Sequence, residues 1–311
     1  MELYCPEFNL SALRLRVVVP HFFQEGASEC SGGYGSGRRG NRLPRSLALA
    51  RCLGSVLSLN RSSHDWMINI AELQLERTPA TTVAGLPGVL VELHVFVCGD
   101  CWIQEVVEQF SPRIHLHRLD LEDPRQLPLA AVRQLLDFSD PAALSLYLED
   151  DLVIQDSRYV DKIAWFHDLT DHQFVLMPHR REPSAAHAPQ HLFVDGPIKP
   201  VDQIEPVWAS DEVIQTHVRF WDGQEIEFAQ VANPHSGSFC ISAPQLELLR
   251  GASWPPEPFI GPLETAATGT VLNHFAVLKP SLACREFLTI EHGNPSFLET
   301  LNTFPRREVK S

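Results

Sequence analysis

The chain alternates between short apolar runs and polar, proline-rich connections. Residues 13–19 read Leu-Arg-Leu-Arg-Val-Val-Val, an alternation passing into a continuous apolar run, and predict a first strand closed by Pro20. Behind Pro44, the residues Leu47, Ala50, Arg51, Leu53 and Leu57 recur at helical spacing, which predicts a helix over 44–59. Further strands are predicted at 91–97, 114–119 and 144–148, with an amphipathic helix at 128–138. The second half is more broken. Strands are predicted at 173–177, 218–220, 226–229 and 238–241, and a strand-like stretch at 287–290. Helices are predicted at 244–249 and from Gly261 to about Val277, and a polar, mobile tail at 298–311. Strands alternating with helices predict an α/β fold whose ligands sit at the carboxyl ends of strands. No clear linker divides the halves, so one composite domain is expected over 1–311.

The run Ala143-Leu144-Ser145-Leu146-Tyr147-Leu148 ends in Glu149-Asp150-Asp151 and turns apolar again at Leu152-Val153-Ile154. Three adjacent carboxylates repel, and burying them unpaired is costly. A divalent cation or a polar ligand at the strand end relieves that cost. Mg²⁺ and Mn²⁺ prefer carboxylate oxygens and commonly share them with phosphates. The bland alternative is a solvated acidic turn, and the apolar flanks count against it.

Charge and composition narrow the classes. The 311 residues carry a net charge of −14, which disfavours nucleic acid as a partner. No run of about 18 apolar residues predicts a membrane span, so any membrane contact is expected to be peripheral. The amino-terminal residues lack a signal-peptide pattern, and the seven cysteines are scattered, which together predict a cytoplasmic setting. Cys98-Gly99-Asp100-Cys101 has no second cysteine pair to complete a zinc site. Gly35-Ser36-Gly37-Arg38-Arg39-Gly40 matches the dinucleotide fingerprint formally, but it lies too far from the first strand and does not open a helix. Its neighbouring arginines, Arg45 among them, are instead candidates for phosphate contact. Glu264 precedes the small residues Thr265-Ala266-Ala267-Thr268-Gly269, where a ligand can approach closely; it suits either the helix dipole or general-base work.

Taken together these residues resemble the GT-A class of nucleotide-sugar glycosyltransferases. Leu148-Glu149-Asp150-Asp151-Leu152-Val153 resembles the Glu-Asp-Asp form of their DxD motif, closest to that of N-acetylglucosaminyltransferase I-like enzymes. A later Ser-Gly strand at Ser236-Gly237, then Gly-Pro-Leu-Glu, then His292, follow in similar order. The resemblance implies a Rossmann-like mixed sheet flanked by helices, with a nucleotide-sugar-binding half (13–154) and an irregular acceptor-side half (155–297). It implies Asp151 and His292 as ligands of Mn²⁺ or Mg²⁺, and Glu264 as the base on the acceptor hydroxyl. Pro20, His21, Phe22, Arg45, Asp100, Glu149, Asp150, Ser236 and Gly237 would line the nucleotide sugar. The implied activity is transfer of a hexosyl or N-acetylhexosaminyl group from a UDP-sugar to a glycan, lipid-linked or protein acceptor, with inversion. Two rivals remain: a sugar-phosphate nucleotidyltransferase, against which Pro20-His21-Phe22-Phe23 replaces the expected glycine-rich loop, and a non-catalytic GT-A-like binding protein.

Overall fold

The computed structural model describes residues 12–26, 37–80, 86–140, 142–183, 191–195, 215–231, 233–294 and 297–298. The glycine-rich stretch 27–36 and nearly all of the tail expected at 298–311 lie outside them. The fold is mixed α/β. Its centre is a five-stranded sheet made of β1 (Leu13–His21), β4 (Val89–Cys98), β5 (His115–Leu119), β6 (Leu144–Leu148) and β13 (Ser238–Ser242), in the order β13-β6-β1-β4-β5. The first four run parallel and β13 runs antiparallel beside β6. A hairpin of β2 (His64–Asn69) and β3 (Gln74–Pro79) stands apart from this sheet.

Strand periodicity sorts the core into two layers. Leu15, Val17 and Val19 of β1, Leu93, Val95 and Val97 of β4, and Leu144, Leu146 and Leu148 of β6 share one cluster with Leu49, Cys52, Leu53 and Val56 of α1 (Arg42–Leu57). Val18, Phe96, Tyr147 and Phe239 face the other side, against α3 (Leu127–Asp137) and α5 (Ala243–Arg250). Each such side chain contributes about 1.5–3 kcal/mol by leaving water. Both faces of β6 are therefore covered, which explains its unbroken apolar run. Among the described residues, no helix is long and apolar enough to cross a membrane.

The second half, joined by β7 from the first, forms two four-stranded sheets, more regular than the sequence suggests. One has the order β10-β9-β15-β7, with β7 (Leu152–Val153), β9 (His179–Pro183), β10 (His191–Phe193) and β15 (Thr289–His292). The other is β11-β12-β14-β8, with β8 (Phe174–Leu176), β11 (Gln215–Arg219), β12 (Glu225–Gln230) and β14 (Ala276–Pro280).

Two sequence expectations need correction. Pro20 does not close β1, which continues to His21 beside β4. Pairing with β6 stops at Val18, so a residue without an amide donor sits where one side of the strand is open. The helix expected from Gly261 to about Val277 stops at Leu272 and includes a π-helical turn at Thr265–Gly269. Val277 instead belongs to β14, where it pairs with Val175.

His167, on α4 (Tyr159–Leu169), is buried with its Nε2 3.2 Å from the Cys240 carbonyl oxygen. Burial pushes its pKa down to about 4, against the opposing pull of that carbonyl. The unfolded chain takes up this proton near pH 6.5 while the folded chain does not. The stability it confers is therefore present above pH 6.5 and lost as pH falls towards 4. His167→Gln is expected to flatten the fall in urea midpoint between pH 7 and 5; an unchanged slope would refute this.

Candidate active site

β1, β4 and β6 end at the same edge of the central sheet, and the acid turn leaves β6 there. The turn is buttressed on the β13 side, where the Glu149 amide donates to the Gly237 carbonyl at 3.0 Å. Gly237 has φ +61, and a Cβ there would lie 2.7 Å from Glu149 Oε2 and 2.9 Å from Leu152 Cδ1. Both facts demand glycine. Gly237→Ala is expected to destabilise by about 1–3 kcal/mol and to displace Glu149. A chemical-denaturation difference below about 0.5 kcal/mol, the range of neutral surface changes, would refute it.

The three acids have different surroundings. Asp150 is buried and held on both oxygens. The His21 Nδ1 lies 2.5 Å from Oδ2, and Arg45 Nη2 donates to Oδ1 at 2.6 Å. The Ile103 amide donates to His21 Nε2 at 3.0 Å, so Nδ1 carries the proton given to Asp150. Burial raises the Asp150 pKa, but Arg45 and His21 outweigh it and hold it below the usual carboxylate range. Asp151 receives Arg45 Nη1 at 2.8 Å. Glu149 is the exception: its Oε1 is buried without a hydrogen-bond partner, and burial followed by the Asp151 charge pushes its pKa up to about 8.

His292, at the end of β15, faces the turn from the opposite sheet. Its Nε2 lies 3.7 Å from Asp151 Oδ2, and its Nδ1 donates to Glu182 Oε1 at 2.8 Å. Glu182 is fully buried and also accepts the Phe297 and Leu298 amides. A histidine anchored by one nitrogen on a carboxylate, with the other turned to an aspartate, is how metal-binding histidines are oriented. Asp151 and His292 thus suit a divalent cation whose remaining positions are filled by phosphate and water oxygens. Among the described residues, no group of three His, Cys, Asp or Glu side chains converges to form a complete cage.

Beneath the acids lies a buried ion cluster that sequence reasoning did not find. Arg180 Nε and Lys279 Nζ donate to the two oxygens of Asp195 at 2.8 and 2.9 Å. All three are buried, and the field of Arg180 reaches Glu149 and Asp151. Asp195 is held well below the usual carboxylate range because the two cations outweigh burial. The signal in the sequence was the charged string His179-Arg180-Arg181-Glu182, whose arginines the sequence offers as candidate phosphate contacts and not as members of a buried ion cluster.

The remaining expected residues are spread around this centre. Glu264 is half-buried at the head of the interrupted helix. The Tyr147 hydroxyl pKa is raised by burial first and then by the charges of Glu149, Asp150, Glu264 and Asp151, so the charges of Glu264 and of the three acids all reach that hydroxyl. His235 joins this helix to the turn: Nδ1 is 3.0 Å from the Thr268 hydroxyl, and Nε2 is 3.9 Å from Glu149 Oε1. Ser236 is buried, and its hydroxyl is spent on the Pro178 carbonyl. His21 is fully buried with both ring nitrogens engaged, which leaves neither for a nucleotide base. Pro20 is buried, Phe22 is half-buried, and Asp100 is exposed in the turn after β4. His115 and His117 stack on His94 and lie outside this group.

No family model and no curated protein matches this chain. Several solved structures do. TarS of S. aureus aligns at a TM-score of 0.40 with 14% identity, over 87% of this chain and 35% of that one. Its 1–349 portion in complex with UDP-GlcNAc aligns at 0.39 with 13% identity, over 94% and 68%. GalNAc-T7 with UDP, GalNAc and Mn²⁺ aligns at 0.41 with 10% identity, over 90% and 43%. The chain spans 35%, 58% and 43% of the first three structures it matches. At these TM-scores the matches carry no argument about its chemistry.

Proposed function

We propose that the chain is a GT-A-type glycosyltransferase that moves a sugar from a nucleotide sugar, UDP by preference, to an acceptor hydroxyl. One observation carries this reading: an acid turn at the carboxyl end of a buried strand, with His292 aimed at Asp151 by Glu182. Asp151 and His292 would hold Mn²⁺ or Mg²⁺, which supplies charge neutralisation for a departing diphosphate. Asp195 fixes Arg180 beneath the site, where its positive field favours an anionic donor. Glu149, whose Oε1 is buried without a hydrogen-bond partner, can bond a hydroxyl of the donor sugar. Glu264, whose charge reaches the same Tyr147 hydroxyl as the acids do, would accept the acceptor proton. A single base acting directly on the acceptor implies inversion at the anomeric carbon.

The halves 13–154 and 155–297 would then carry donor and acceptor, with β13 reaching from the second into the central sheet. A second reading is favoured by Arg45, whose guanidinium already pairs with both Asp150 and Asp151. In that reading the chain binds a nucleotide without metal and without turnover. A thermal-shift panel of nucleotide sugars separates the two. Stabilisation by one nucleotide only with Mn²⁺ supports transfer; equal stabilisation with and without metal supports the binding reading; no shift with any nucleotide refutes both. Glu264→Gln is expected to lower transfer about a hundredfold or more with donor affinity kept. Full activity in that variant would remove Glu264 from the role of base.

A further inference from the structure

The hairpin of β2 and β3 is not used by the site, and its side chains are sorted by face. Its register pairs His64 with Pro79, Trp66 with Arg77, and Ile68 with Leu75 on one face. The other face pairs Asp65 with Thr78, Met67 with Glu76, and Asn69 with Gln74. Trp66 is 65% exposed, Ile68 71% and Leu75 62%; Ile70 and Leu73 at the tip are 79% and 89% exposed. Among the described residues, each strand packs chiefly on the other and on no further element to a comparable extent. Isolated two-stranded hairpins are marginal in water, and contiguous apolar patches of this kind mark contact surfaces.

The arrangement selects the partner. The apolar face carries one permanent charge, Arg77, near the base of the hairpin, with its Nη2 3.0 Å from His64 Nδ1. Trp66 sits beside Arg77, and only aliphatic side chains follow on that face towards the tip. The acids Asp65 and Glu76 lie on the opposite face, where Glu76 is bonded by Asn69 at 2.7 Å. An aromatic and a cation at headgroup level, aliphatics beyond them and acids turned to water suit the interface of a bilayer. A net charge of −14 opposes close approach of a second copy and of an anionic surface alike.

We propose that this hairpin sets its apolar face into the interface of a zwitterionic phospholipid membrane, with Trp66 and Arg77 at headgroup level, Ile68 and Leu75 immersed beyond them, and the face of Asp65 and Glu76 turned to water. The assignment rests on the hairpin alone and not on the acid site. The full chain is expected to float with phosphatidylcholine vesicles, and lipids brominated on their acyl chains should quench its emission more than that of Trp66→Phe. The combined variant Trp66→Ser, Ile68→Ser and Leu75→Ser should partition about a hundredfold less or weaker still, with an unchanged melting temperature. Adding phosphatidylglycerol should not strengthen binding. The proposal is overturned by absent flotation, by equal flotation of the variant, or by binding that needs anionic lipid and disappears in high salt. It is equally overturned if the wild type forms dimers that the variant does not, and neither binds vesicles.

Discussion

Replacing Arg45 with alanine is expected to destabilise the protein by about 3–5 kcal/mol, because it leaves two buried acids without their cation. Arg45 is 5% exposed and bridges Asp150 and Asp151 from α1. Burial lowers the pKa of its guanidinium, but the two aspartates outweigh this and raise it above its ordinary value. The depressed pKa of Asp150 agrees in direction. After truncation, His21 alone remains on Asp150, and Asp151 keeps only the more distant His292 and the field of Arg180. The loss would appear as a lower urea midpoint. Pairing Arg45→Met with Asp150→Asn should recover much of it, since the penalty comes from the stranded charge more than from the lost bond. A cost below 1 kcal/mol for Arg45→Ala would mean that water already screens the pair.

Asp151→Asn is expected to abolish metal-linked nucleotide binding and to lower transfer about a thousandfold, equivalent to roughly 4 kcal/mol of transition-state stabilisation. Asparagine keeps the shape and one acceptor oxygen but loses the charge that makes Asp151 a ligand. The fold should survive, because Arg45 keeps its bond to Asp150. Two readouts belong together: transfer activity, and the shift in melting temperature given by nucleotide with Mn²⁺ over nucleotide alone. Retained activity together with a retained metal-dependent shift would show that the cation is held elsewhere. Loss of activity with a retained shift would move Asp151 from metal binding to chemistry.

The sequence disclosed the parts of the molecule whose burial depends on apolar pattern. An apolar run ending in three acids marked β6 and its turn, and helical spacing marked α1 and α3. What stayed hidden is buried through charge. β9 reads His-Arg-Arg-Glu-Pro, which suggests surface, yet Arg180 and Glu182 lie inside because Asp195 and His292 meet them there. Lys279 stands at the polar end of an apolar stretch, and its partner is 84 positions away. No local window contains such pairs. The π-helical turn after Glu264 was equally hidden, since small residues and threonines predict a helix without fixing its pitch. The hairpin was missed for the opposite reason: its alternation is real, but no neighbour in the fold answers it.

The antiparallel strand β13 also has a consequence for how the chain is made. Ser238 pairs with Leu148, so the strand that ends in the acids is completed by residues 90 positions later. Until those emerge from the ribosome, one edge of β6 is an unsatisfied template and the acid turn lacks the Gly237 carbonyl that closes it. Long-range pairing of this kind forms slowly and leaves intermediates prone to association. A fragment ending at residue 154 would contain all three carboxylates and most of the first core layer, and would still be expected to aggregate rather than bind nucleotide.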